Sequence, residues 1–266
     1  MQDDQLFTMS RMLEIGATLR NIGEGARSME DAARRVIDCL YNQYSDPETG
    51  KSAFVLARLF KTHPIGGLGR PQQEFAKRLL GGTCSDQVPC FTLLATRGDH
   101  EDWNSRHCSR RHIAIPLPSG EFVESSPMLA RVLEQLGIDP VHLGRPQDKL
   151  ERFEINRNVG LFHVADAEGS PHILDQKDFV LRYGVRSVLG FGGSLPTGDR
   201  YCVILFSRVP ILVGVVRPQC TDAKQVEGER NRLPILVKGR FLGLDLERSE
   251  AQHAAEIVNT VQPVLL

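Results

Sequence analysis

Between Arg97 and His112 the chain gathers residue types that can do chemistry: Trp103, its one tryptophan, then Arg106, His107, Cys108, Arg110, Arg111 and His112. A guanidinium such as that of Arg106 can grip a carboxylate or phosphate through two parallel N–H donors. The Trp103 indole offers a stacking face and one N–H donor. Cys108 stands among positive charges, the setting that lowers a thiol pKa and makes a thiolate reactive. The cluster therefore reads either as a solvated basic loop or as an anion-binding one. Two histidines enter as binding candidates: His112, which precedes an alternating strand, and His163, which lies inside one. A lone strand histidine is also a common core residue, so both readings stay open for each.

Other chemistries find less support. Cys108 and His112 are four residues apart and Cys84 and Cys90 six apart. Structural zinc sites more often show two close pairs, so no metal is expected. Cys84, Cys90 and Cys108 fall in loop-like segments and could serve a thiol-based redox enzyme or sensor, whereas Cys39 and Cys202 lie within apolar patterns and read as core. Gly-x-Ser-x-Gly, the phosphate-binding Gly-x4-Gly-Lys-Ser/Thr and His-Glu-x-x-His are all missing. Gly190-Phe-Gly-Gly193 lies in a strand pattern and fits a bulge or a close backbone approach.

The elements that must position these residues follow from periodicity. Residues 5–22 predict a helix with two apolar stripes (Met12, Ile15, Leu19, Ile22 and Leu6, Met9, Leu13), which reads either as core burial on one wide face or as a dimer seam. Ser28 with Asp31 opens a second helix in the manner of a capping box. Ala53–Phe60 predicts a central strand, Pro71–Leu80 a short helix, Phe91–Thr96 a strand, 97–112 a loop and Ile113–Leu117 a further strand. Ser126-Pro127 starts a helix that buries Leu129, Val132, Leu133 and Leu136. Val159–Ala165 is a strand. Strands centred on Ser187–Phe191 and Tyr201–Phe206 flank Leu195-Pro-Thr-Gly-Asp199, a hairpin connection. In the tail, Leu233–Val237 and Phe241–Leu244 suggest a second hairpin, and Ser249 with Gln252 caps a last helix over 250–262.

The run from Phe179 to Arg208 resembles the closing half of a GAF domain, the sensory relative of PAS, in which a Gly-Val-x-Ser-apolar strand pairs with an apolar one. With Phe60-Lys-Thr-His-Pro64, Trp103-Asn-Ser-Arg106, Ala114-Ile-Pro-Leu117 and Phe162-His-Val164, residues 5–211 resemble the GAF-like input regions of bacterial sensor histidine kinases. The resemblance implies an α+β fold, a GAF/PAS-like antiparallel sheet with helices on its faces, and a small-molecule ligand held between the sheet and the segments 97–118 and 162–178 that cross it. It also brings Trp103 and Arg106 forward as ligand contacts. The free-methionine sulfoxide reductases share that fold, but their cysteine arrangement is not recognisable here. Residues 212–266 depart from the family as a C-terminal extension ending in a helix, with no phosphoacceptor helix and no ATP-binding glycine-rich segment.

Composition narrows the class. Apolar residues make up 41% and charged residues 24%, and the net charge is −1 with basic residues dispersed. A nucleic-acid partner is not expected, because such proteins concentrate positive charge against phosphates. No apolar run approaches the ~18 residues of a membrane span, and Met-Gln-Asp-Asp does not begin a secretory signal. The expectation is a cytoplasmic, non-enzymatic ligand-binding sensor that forms a homodimer or docks on a signalling protein such as a histidine kinase. The alternatives are the thiol-based redox protein and a structural interaction module whose pocket its own side chains fill.

Overall fold

The computed structural model describes residues 9–45, 50–109, 112–135, 160–195 and 197–211. The expected hairpin at 233–244, the helix at 250–262, Leu136, Arg110 and Arg111 lie outside them.

Two helices open the chain, α1 (Met9–Asn21) and α2 (Met29–Gln43). The start of α2 is chemical: Ser28 Oγ accepts from the Asp31 amide at 3.1 Å, and the Asp31 carboxylate accepts from the Arg27 amide at 3.2 Å. Orphan amides at a helix start are satisfied in this way. Strands β1 (Phe54–Pro64) and β2 (Pro89–Gly98) follow, with α3 (Arg70–Leu79) between them. Then come β3 (Ala114–Pro116), α4 (Gly120–Glu124), α5 (Pro127–Gln135), β4 (Gly160–Val164), β5 (Ser187–Ser194) and β6 (Arg200–Ser207). Both long strands run past their apolar cores, and the five-residue α4 is absent from the sequence reading. Its start is nonetheless capped, with Ser119 Oγ accepting from the Phe122 amide at 3.3 Å.

The strands form one open antiparallel sheet in the order β3-β2-β1-β6-β5-β4. Together with the helices they make a mixed α+β fold. Alternation along β1 assigns its two faces. Ala57 and Leu59 pack with Ile15 and Leu19 of α1 and Val36, Ile37 and Leu40 of α2. Leu56 and Phe60 point the other way, into a cluster with Val132, Leu133, Phe162 and Phe206. Each fully buried Leu or Ile contributes about 1.5–3 kcal/mol relative to exposure.

The glycines of β5 resolve one expectation. Register between β5 and β6 is unbroken from Ser187 to Ser194, so there is no bulge there. A Cβ on Gly190 would sit 3.2 Å from Phe162 Cβ, so this glycine serves close approach. Among the described residues, no helix is long and apolar enough to cross a membrane.

Candidate ligand cavity

Opposite α1 and α2, the sheet floors a cavity of about 630 Å³. Leu56, Arg58 and Phe60 of β1, Phe91 of β2, and Cys202, Ile204 and Phe206 of β6 form the floor. The walls come from residues within 100–109 and 112–115, from Ser126 to Val132 at α5, and from His172 to Tyr183. Apolar lining with a few converging polar groups is the usual makeup of a small-molecule site.

The first wall is framed from the opposite layer. Asp99 accepts from Tyr41 Oη of α2 at 2.6 Å and is paired with Arg208 beyond β6. Burial and the Asp99 carboxylate push the Tyr41 phenol well above its ordinary pKa. Asn104 Oδ1 accepts from the Gly98 amide at 3.0 Å. Arg106 Nε meets Glu30 Oε1 of α2 at 2.5 Å, with His107 Nε2 3.8 Å from the same oxygen. With its ends held, the loop takes a short 3-10 turn (Glu101–Asn104), and Trp103 lines the cavity.

Trp103 joins the two crossing segments. Its ring lies 4.7 Å from that of Tyr183 and 5.7 Å from that of Phe179, and Phe179 meets Phe206 of the floor edge-on at 4.9 Å. Gly98 makes the seat: a Cβ there would come within 2.8 Å of both Trp103 Cε3 and the Val55 carbonyl oxygen. The opposing wall is organised by Gln176. Its Nε2 donates to the carbonyls of Ala167, Ser170 and Ile173, and its Oε1 accepts from the Gly169 amide at 2.9 Å. From there a π-helical turn (Gln176–Leu181) carries Asp178 and Phe179 to the cavity.

Of the four expected ligand residues, Trp103 and His112 line this cavity together. His112 is exposed and adopts φ 60°, a backbone setting uncommon for a residue with a side chain. Arg106 and His163 are not in the lining. Arg106 is committed to Glu30. His163 is half-buried, with Nε2 2.8 Å from the Ile211 carbonyl oxygen.

The cysteines are dispersed. Cys90 does not lie in a loop as expected: it sits in β2, 0% exposed, among Ile65, Ala76 and Ala114. The apolar run of β2 simply begins earlier than Phe91. Burial pushes the thiols of Cys90 and Cys202 up to about 12 and that of Cys39 to about 11, so all three stay protonated and unreactive. Cys84 packs in the Cys90 cluster, and Cys108 alone is exposed among the described cysteines. The set of Cys84, Cys90 and Cys108 is thus divided between a packed cluster and the cavity mouth.

Sequence reading missed Arg58. It occupies the third strand of the sheet, 9% exposed, in the cavity floor. The available signal was a single arginine inside Ala53-Phe-Val-Leu-Ala-Arg-Leu-Phe60. Arg, Lys, Glu and Asp are almost never fully buried without a partner. Comparison with protein-family models, curated proteins and solved structures finds no match.

Proposed function

We propose that this chain is a GAF-like sensory module that binds a small molecule non-catalytically in the cavity over β1 and β6. The observation that carries the reading is the cavity itself, about 630 Å³ and walled by residues within 100–109, 112–115 and 172–183. These walls fall largely within the segments the resemblance assigns to the ligand. The aromatic joint of Trp103, Phe179 and Tyr183 gives the ligand a means of acting at a distance. An occupant touching that joint favours one arrangement of both walls, and the loop bearing Trp103 is tied through Asp99 and Arg106 to α2. Differential affinity for two such arrangements is what a sensor requires.

In this reading the module works in the cytoplasm as a homodimer through the helices expected at 5–22 and 250–262, or hands its signal to a separate partner such as a histidine kinase. Mass spectrometry of the purified protein, native and then denaturing, tests the proposal. A dimer carrying a small mass that leaves on denaturation is expected. A monomer with no such mass, whose Trp103 emission also ignores apolar probes, overturns it.

A further inference from the structure

Among the described residues, three buried polar atoms on or beside the cavity lining have no hydrogen-bond partner. Arg58 Nε is one. Thr96 Oγ1, on the residue directly across from Arg58 in β2, is the second. His172 Nδ1, in the wall above, is the third. The Arg58 guanidinium makes a single long bond, from Nη2 to Ser109 Oγ at 3.5 Å, and no ion pair among the described residues. A buried charge in an apolar setting is costly unless it is paired and hydrogen-bonded, and native structures leave few such groups unmet. Burial lowers the Arg58 pKa only to about 10, so the group stays cationic at neutral pH. A planar fork of donors facing an apolar cavity is the geometry that receives a carboxylate or a related oxyanion.

We propose that the cavity takes an organic monoanion, its acidic head on Arg58 with Thr96 and His172 beside it, and its apolar body between Phe60, Phe91, Ile204 and Phe206. This rests on the cavity being a ligand site and adds the class of ligand. Asp102, Asp175 and Asp178 also line the cavity. They disfavour a second negative charge on the ligand, so polyphosphates and nucleotides are poor candidates and a compact carboxylate or sulfonate is a good one.

A matched dye pair separates the two claims. Anilinonaphthalene sulfonate carries one anionic head, and phenylnaphthylamine is the same ring system without it. Both brighten in apolar sites, and energy transfer from Trp103, the only tryptophan, reports occupancy of this cavity. The sulfonate should bind the parent at least tenfold more tightly than the neutral dye. Arg58→Met should abolish that preference, the sulfonate losing at least tenfold relative to the neutral dye, and Arg58→Lys should keep part of it. Equal binding of the two dyes, or a preference that survives in Arg58→Met, overturns the anion claim and leaves the cavity claim standing. Energy transfer to neither dye overturns both. If Arg58→Met fails to fold, Arg58→Lys decides: a reduced preference supports recognition by the guanidinium, and an unchanged or absent one in a folded variant overturns it.

Discussion

The two faces of the sheet are built from the same strands and solve different problems. On the side of α1 and α2, Ala57, Leu59, Val203 and Leu205 meet helix side chains in a filled layer. On the other side Leu56, Arg58, Ile204 and Phe206 meet a space bounded by crossing segments. Neighbouring residues on β1 therefore belong to different regimes, Leu59 to packing and Arg58 to binding. The contrast teaches that the filled face supplies stability, while the open face keeps a polar group unsatisfied.

The largest test of that division is Leu59→Ala. Leu59 is 0% exposed in the filled layer, and deleting a well-packed leucine costs about 2–5 kcal/mol. Urea unfolding should show that loss with little change in dye affinity measured under native conditions. A loss below about 1 kcal/mol would mean this face is not close-packed. Next in size is Gly98→Ala, where the new methyl meets both the Trp103 ring and a backbone oxygen at 2.8 Å. The backbone cannot yield cheaply, so the indole must leave its seat, at about 1–3 kcal/mol. A changed Trp103 emission maximum in a folded protein is the expected sign, and an unchanged spectrum would refute the seat.

One residue before Leu59 the sign should reverse. Replacing a buried charge by an apolar side chain of similar length is often neutral or stabilising. Arg58→Met in the ligand-free protein should therefore gain about 1 kcal/mol or more, removing an uncompensated cation. Chemical denaturation of extracted, ligand-free protein measures it. A loss of stability would mean that the guanidinium already has what it needs, and the open face would then be less open than its geometry implies.

Sequence reading reached the filled face more fully than the open one, for physical reasons. Ala33, Val36, Ile37 and Leu40 repeat at helical spacing, and Ser28 with Asp31 marks where that helix begins, so α2 is written locally. Trp103 was visible as the one large aromatic of a polar stretch. Its partners Phe179 and Tyr183 lie more than seventy residues away, and no local pattern joins them. Gln176 was silent for the same reason: its worth lies in carbonyls that converge only once 167–176 has turned. Arg58 was hidden by β-alternation, in which a single polar residue reads as the solvent side. Arg106 misled through its chemistry, because a guanidinium suited to a ligand carboxylate is equally suited to Glu30.

The smallest expected stability effect lies on the wall of the open face. Leu129 of α5 lines the cavity and is only half-buried, so one side of it touches little protein. Shortening it to alanine removes few contacts and enlarges a space that exists already. The cost should stay below about 1 kcal/mol, well under the range for a packed leucine. Affinity should respond more than stability does, because the apolar body of a ligand loses a surface to rest on. Phenylnaphthylamine binding ought to weaken severalfold while the urea midpoint barely moves. The opposite pattern, a large stability loss with unchanged dye binding, would place Leu129 in a packed core and erase the difference between the two faces at that position. With Leu59→Ala as its counterpart, the pair asks one question of two leucines on opposite sides of one sheet: whether the side chain's neighbours are protein or ligand.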